Sequence, residues 1–536
     1  MSLKPTRALR RFSFRQTLRG AVILGALVGL VMGAQGAAYA KAFPTEASRE
    51  KLVVTLHSLS GANFFSGEIA NAVHPDSYAI YKSLALTMII VAVWGLLVGT
   101  RLLRGFEEDG RLELLEAGAL SKRQTSSQLL LGFGGSIMVA MLLTLIFVAG
   151  LGSSSQVKLS SSGALYTTIA IFLPGLVFAA LGVTTAQLAR SRSRAILYGL
   201  VPLIVLYIIR GTANSVESVN WLKKLSPFGW SDLLNPVLSP KLIWVVPSLV
   251  LIVLFVTLGV YWAGRRDLGE AMLRQSDTAR SHYYLLGSPA KLAVRQHLGM
   301  FFWWGLGIIV FSAFFAAVAN ASTSLASDSP LLQKAFAASS DNGIKLLFLG
   351  VGTTFGATFL LIMATLGLSR IRRDEAKGYL DNVLVQPTRR SQWLLWRLWF
   401  VAVMFMGIAL LAALTTFIVA HAENITIGLG ALVMNALSLS GVLLLVLGIG
   451  ALLYGYLPRI AVAGMSVVIG WAFVLDILKS LFHLSSFVTK TSILTYIPSN
   501  PANAPDWVAI AWLVVTGLIL ATLGTVRFTK RDIIAE

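Results

Sequence analysis

Along this chain polar and apolar residues alternate by block. Charge-free windows cover Gly20–Ala40, Ser83–Thr100, Gln124–Val157, Leu159–Ala189, Ala195–Ile209 and Leu242–Gly264. A second set covers Leu298–Ala326, Leu346–Ser369, Leu398–Ala420, Asn424–Pro458, Ile460–Leu475 and Trp507–Val526. A bilayer core about 30 Å thick is crossed by a helix of about 20 residues. The windows therefore predict twelve spans, with tilt or a loop absorbing the excess in the longest. The fold class this predicts is an all-α polytopic membrane protein. Ala195–Ile209 and Ile460–Leu475 are short, and they stop at ionisable residues, Arg210 and Asp476. Each leads to a Pro-containing stretch, LSPFGWSDLLNP from Leu225 and LTYIPSNPANAP from Leu494. These stretches fit either outer segments dipping part-way into the membrane or plain outer loops.

Basic residues set the orientation, because Lys- and Arg-rich short loops stay cytoplasmic. Arg7, Arg10, Arg11, Arg15 and Arg19 precede the first window, and Arg101, Arg104, Arg111, Lys122 and Arg123 follow the second. Arg190, Arg192 and Arg194 follow the fourth; Arg265, Arg266, Arg274, Arg280, Lys291 and Arg295 fill the centre. Later loops on this side carry Arg370, Arg372, Arg373, Arg389, Arg390 and Arg459, before Arg527, Lys530 and Arg531. The alternate loops are poorer in cations, which predicts a multi-pass protein of the cell (inner) membrane with both termini cytoplasmic. Ala38-Tyr39-Ala40 looks like a signal-peptidase site. The stretch Gly20–Ala40 is nevertheless longer than the about 7–15 apolar residues of a signal peptide, so a retained first span is expected.

Composition narrows the class. Of 536 residues 56% are hydrophobic and 13% charged, where a soluble chain carries about 25% charged residues. Mean hydropathy is +0.75, and an ordinary soluble enzyme is excluded. The net charge of +20 would suggest nucleic acid in a soluble protein. Here the cations flank apolar blocks and suit anionic lipid instead. There is no Cys, which removes disulfides, thiolate metal sites and a Cys nucleophile. His57, His74, His297 and His483 lack metal-ligand spacing.

The chain also repeats itself. Arg104, Glu107, Gly110, Leu112 and Gln124 recur 268 positions later as Arg372, Glu375, Gly378, Leu380 and Gln392. Arg15-Gln16 before the first window matches Arg295-Gln296 before the seventh, and Arg266-Asp267 after the sixth matches Arg531-Asp532 after the twelfth. The expected organisation is two tandem six-helix halves, 20–264 and 298–526. A cytoplasmic amphipathic segment (1–19), a linker (265–297) and a tail (527–536) frame them.

The duplicated segment carries the best functional signal. Glu107, Glu108, Asp109, Glu113 and Glu116 form an acidic cluster on a basic cytoplasmic face, although insertion requires no carboxylates there. Glu107 and Arg111 are spaced for an i,i+4 pair, and Leu112 and Leu115 give an apolar side. A short helix parallel to the membrane results. It is either a solvated interfacial helix or an acidic patch offered to a basic partner groove, and its duplication at Glu375, Gly378 and Asp381 favours the partner.

Arg210, Asp476, His421 and Glu423 fall at span ends, where snorkelling is expected. Gln187 and Asn435 are candidate interhelical glue, and Gly132–Gly135 suggests close helix packing. A path so poor in charge suits a hydrophobic or amphipathic substrate. Trp94, Trp303, Trp304 and Trp471 line it or pack against helices and lipid.

The layout resembles the ABC-2 type exporter permeases. It has a basic amphipathic lead-in, six spans, an E-x-x-G-x-x-[ED] helix between spans two and three, and an R-D ending. Two such units in one chain look like the fused permeases of antibiotic efflux, including the tetronasin-resistance type. The resemblance implies that Glu107, Gly110, Glu113, Glu375, Gly378 and Asp381 are coupling positions docking on an ATPase. It implies a non-catalytic permease working with two copies of a separate ABC ATPase, which would bind the ATP and Mg. The repeat departs from the first half at Lys377 for Asp109 and at Arg389 for Ser121. No G-x-x-x-x-G-K-[ST] occurs, so nothing in this chain cradles a triphosphate. A twelve-span secondary transporter is the alternative, and it would want intramembrane carboxylates or broken helices at a midplane site. A membrane enzyme on lipid-linked substrates would need convergent polar groups, for which His421 and Glu423 are too little.

Overall fold

A computed structural model describes residues 5–58, 66–67, 73–116, 120–273, 283–285, 287–319, 341–385, 388–481 and 485–533. Among them there is no strand, and eleven helices are long and apolar enough to cross a membrane. The chain divides into two compact units, Met1–Ala279 and Arg280–Glu536. Arg274, Arg280, Lys334 and His483, and the side chains of His57 and Glu116, lie outside the described residues.

Unit 1 begins with α1 (Pro5–Ala42) and α2 (Glu46–Ser58), then α3 (Pro75–Glu108), which passes through a π turn at Arg101–Gly105. The six-residue α4 (Arg111–Glu116) follows, then α5 (Lys122–Gly152), α6 (Ser161–Leu188), α7 (Arg192–Ser215), α8 (Pro227–Leu233) and α9 (Val245–Ala263). Helix starts are written locally. Ser121 and Gln124 form a reciprocal capping box at α5, and the Ser160 and Ser191 hydroxyls accept the Gly163 and Arg194 N–H groups.

Small residues then bring backbones together. Gly25 and Gly29 of α1 sit on Ala140 and Thr144 of α5, while Gly132 of α5 sits on Arg10 and Ser13. Gly95 and Gly99 of α3 lie on Gly175 and Ala179 of α6. Hydroxyls join the same seams: Ser13 donates to the Leu129 carbonyl at 2.6 Å and Thr144 to the Gly25 carbonyl at 3.0 Å.

Two expectations fail in this unit. The fifth span is not short, because α7 runs 24 residues through Pro202 and past Arg210. Nor does Arg210 snorkel, since it is 0% exposed. Its Nε donates to Asp232 Oδ2 at 2.6 Å, one Nη2 bond reaches Asp232 Oδ1 at 3.0 Å, and another reaches the Ser66 carbonyl at 2.9 Å. Asn214 adds a bond to Asp232 at 3.0 Å. The Pro-containing stretch thus returns to the bundle as α8, with Phe228 between Phe178 and Tyr207. Removing either partner of such a buried pair costs about 3–5 kcal/mol.

Unit 2 contains α10 (Pro289–Val318), α11 (Asp341–Ala376), the six-residue α12 (Tyr379–Leu384), α13 (Arg390–Ala422) and α14 (Leu429–Tyr456). It ends with α15 (Ala461–Leu481), α16 (Ser486–Lys490) and α17 (Trp507–Lys530). Five of these helices meet the length and hydropathy needed to span, whereas the apolar part of α15 is the shorter Ala461–Asp476. Among the described residues eleven of the twelve expected windows thus meet the spanning requirement, and α15 stands at the place of the remaining one. The closest seam differs from unit 1: Gly448 and Gly455 of α14 lie on Gly517 and Gly524 of α17.

The tryptophans are also placed. Trp94 packs on Phe133, while Trp303 and Trp471 are 67% and 50% exposed. Asn435 joins no helices, because its Nδ2 is buried without a partner.

Candidate functional site

At the basic end of unit 1, α3 does not stop where its apolar window ends. It continues through the π turn to Glu108, and the chain reverses at Gly110, whose φ of +68° favours glycine. The Gly110 N–H donates to the Glu107 carbonyl at 3.0 Å. Leu112 then buries to 4% exposure and anchors α4. Glu107 and Glu113 therefore belong to two different helices, with Gly110 as the hinge between them.

Glu107 is a buried hub. Arg266, just past α9, meets it with two parallel bonds, Nη1 to Oε1 at 2.7 Å and Nη2 to Oε2. The Gly269 N–H donates to Oε1 at 2.6 Å, and Arg104 Nη1 approaches Oε2 at 2.8 Å. The Arg266 Nε donates to Gln187 of α6, and Lys122 of α5 donates to the Arg266 carbonyl at 3.0 Å. One carboxylate thus ties together the ends of α3, α5, α6 and α9. Bidentate pairing fixes geometry as well as energy.

Unit 2 repeats this arrangement bond for bond in most respects. Gly378 has φ +70°, its N–H donates to the Glu375 carbonyl at 3.0 Å, and Leu380 is 1% exposed. Arg531, just past α17, holds Glu375 by Nη1–Oε1 at 2.6 Å and Nη2–Oε2 at 2.8 Å. Arg372 lies 3.8 Å from the same carboxylate, and Arg390 donates to the Arg531 carbonyl at 3.0 Å. The fourth helix departs: where α6 supplies Gln187, α14 supplies Tyr454, whose ring centre lies 5.1 Å from the Arg531 guanidinium.

These contacts correct the reading of the acidic cluster. Glu107 and Glu375 face inward, with side chains 4% and 0% exposed, so neither offers charge to a partner groove. The expected Glu107–Arg111 pair does not form, because Arg111 lies 3.9 Å from Asp109 instead. The outer surface is made by other residues. In unit 1 it is Asp109, Glu113 and Leu114, the last 79% exposed; in unit 2 it is Tyr379, Asp381 and Val385, at 54% for Tyr379 and 87% for Val385.

Both ends of both clamps are visible as repeat matches, Glu107/Glu375 and Arg266/Arg531. That two matched pairs meet across 159 and 156 positions is what the sequence does not state.

A buried cation in α13 also escaped notice. Arg397 is 1% exposed, bonds Gln296 at 3.0 Å and Asp374 at 3.4 Å, and lies 4.2 Å from the Trp393 ring centre. It stands just before the window Leu398–Ala420 and so looked like a flanking charge.

Two comparisons bear on this chain. Residues 286–529 match the family described as "Multidrug efflux system permease Rv1217c, C-terminal domain". Over 456 residues the chain is 23% identical to the multidrug efflux system permease protein Rv1217c of Mycobacterium tuberculosis, covering 83% of this chain and 80% of that relative.

Proposed function

We propose that this chain is the membrane-spanning permease of an ATP-driven, ABC-2 type exporter of hydrophobic or amphipathic compounds, with its basic ends cytoplasmic. The likeness to a protein named as a multidrug efflux system permease supports a transport permease. The duplicated clamp carries the ATP-driven part of the reading. In each unit one buried carboxylate ties the end of the second span to the end of the last, and a short helix with exposed apolar and acidic residues follows directly after that joint, anchored by a buried leucine. A push on α4 or α12 by a soluble motor then moves α9 or α17 along with α3 or α11. Two such levers suit two copies of a separate ATPase, which would hold the ATP and Mg while this chain does no covalent chemistry.

The six coupling positions divide by role. Glu107 and Glu375 transmit force, Gly110 and Gly378 set the hinge, and Glu113 and Asp381 face the partner. The test is co-purification with a candidate ABC ATPase subunit, with ATP hydrolysis measured in lipid. Glu113→Lys combined with Asp381→Lys is expected to weaken association at least about tenfold, on the scale of a charged hydrogen bond. Association and hydrolysis equal to wild type at equal expression would remove the coupling assignment.

A further inference from the structure

The units differ most in their middles. In unit 2 a cavity of about 40 Å³ lies between α10, α11, α13 and α14, with Ser312, Gly356, Ala409, Ala413, Thr416 and Asn435 in its wall. A Cβ added at Gly356 meets nothing within 4 Å. Asn435 is 3% exposed and its Nδ2 donates to nothing, although a buried amide donor normally has an acceptor. Neighbouring hydroxyls are engaged in their own helices: Thr353 donates to the Gly350 carbonyl and Thr416 to the Ala412 carbonyl. Asn435 is thus a fully buried donor left free in the wall, beside the Ser312 hydroxyl.

The matched space in unit 1 is filled. Helices α5 and α6 correspond to α13 and α14 at a shift of 268, from Lys122 to Arg390 and from Ser161 to Leu429. Helix α1 corresponds to α10 at a shift of 280, from Arg15 to Arg295, and Gly25 packs on Ala140 as Gly305 packs on Ile408. In this frame Met32, Met88, Met141 and Leu145 stand where Ser312, Gly356, Ala409 and Ala413 stand in unit 2. Leu360 and Leu432 replace Ala92 and Ala164 and take back part of the room. The space that remains beside Met32, Val148 and Thr167 is about 10 Å³.

We propose that the unit 2 cavity binds the chain of a neutral, slender amphipath whose oxygen accepts from Asn435 Nδ2. No Asp, Glu, Lys, Arg or His lines it, so it selects neither cations nor anions. Room for about three water-sized groups admits a chain and not fused rings. The wall is itself amphipathic: Ser312, Thr353, Thr416 and Asn435 lie toward the helix ends away from the basic side, and Ile308, Leu360, Ala409 and Leu439 lie deeper. Calling the occupant cargo rests on the export reading; the binding does not.

The test is photolabelling of the full chain in lipid nanodiscs with a diazirine-bearing fatty alcohol, mapped by peptide mass spectrometry. The matched alkylammonium probe serves as the charged control. Labelling by the alcohol is expected to concentrate on the cavity segments of α10, α11, α13 and α14, and the ammonium is expected to miss them. Gly356→Met and Ala413→Leu, each importing the residue of unit 1, should cut that labelling about fivefold or more, and Asn435→Leu about threefold or more. Two cavity-filling variants guard against one that misfolds. Labelling spread evenly over lipid-facing helices, or unchanged in folded Gly356→Met and Ala413→Leu, overturns the proposal. No ATPase is needed, so failure of ATPase association defeats the export reading and leaves this site standing.

Discussion

The basic ends of the two units are near copies, while their middles are not. Each end has a carboxylate held by an arginine from beyond the last span, a second arginine three residues earlier, and a left-handed glycine three residues later. A cation at the start of the third span even donates to the same arginine carbonyl in both, at 3.0 Å. In the middle, by contrast, glycines close α3 on α6 in unit 1 but α14 on α17 in unit 2. Methionine and leucine fill one interior where serine, glycine and alanine leave the other open. Part of the molecule is thus fixed by a contact that must occur twice. Interior volume carries no such constraint, and compensating apolar swaps there cost little.

The clamp offers the largest effect by which to break this comparison. Arg266→Met and Arg531→Met each take the bidentate partner from a buried carboxylate and leave it the arginine three residues earlier, at a cost of up to about 3–5 kcal/mol. Thermal unfolding in nanodiscs should show similar losses for both. A harmless Arg531→Met beside a damaging Arg266→Met would show the second clamp to be unequal. Glu107→Leu should cost at least as much as Arg266→Met, because it strands both Arg104 and Arg266.

The hinge comes next. Gly110→Ala and Gly378→Ala force a side chain into the left-handed region at about 1–2 kcal/mol. Amide exchange should rise in α4 and α12 to similar degrees, given φ values of +68° and +70°. A rise in one alone would break the equivalence.

The smallest effect sharpens a known difference. Ser121→Ala removes the α5 capping box at a cost of about 1 kcal/mol. Arg389 makes no side-chain cap at α13, so Arg389→Ala should leave exchange in the first turn of α13 unchanged. Arg389→Ser, with Gln392 in place, should slow it.

Much of the fold was legible in the sequence because bilayer thickness imposes long apolar windows. What windows misread is a buried, paired charge, since it resembles the end of a span. Arg210 shortened α7 in this way, and Arg397 passed as a flanking cation. In both cases the partner, Asp232 or Asp374, lies on another helix and gives no signal local to the window. The coupling segment failed differently. Its repeat was visible, yet burial of Glu107 depends on an arginine 159 residues away. From spacing alone the carboxylate looks like surface.

The central claim is that α4 and α12 are the surfaces a motor subunit grips. Photocrosslinking from an unnatural residue at Leu114 or Val385, the most exposed apolar positions of these segments, tests it most directly. The account predicts that both sites crosslink to the ATP-hydrolysing partner in membranes, and that exposed control sites in the middle of spans, at Val253 and Val515, do not. Crosslinks absent at both positions, in a complex that still co-purifies, would contradict it.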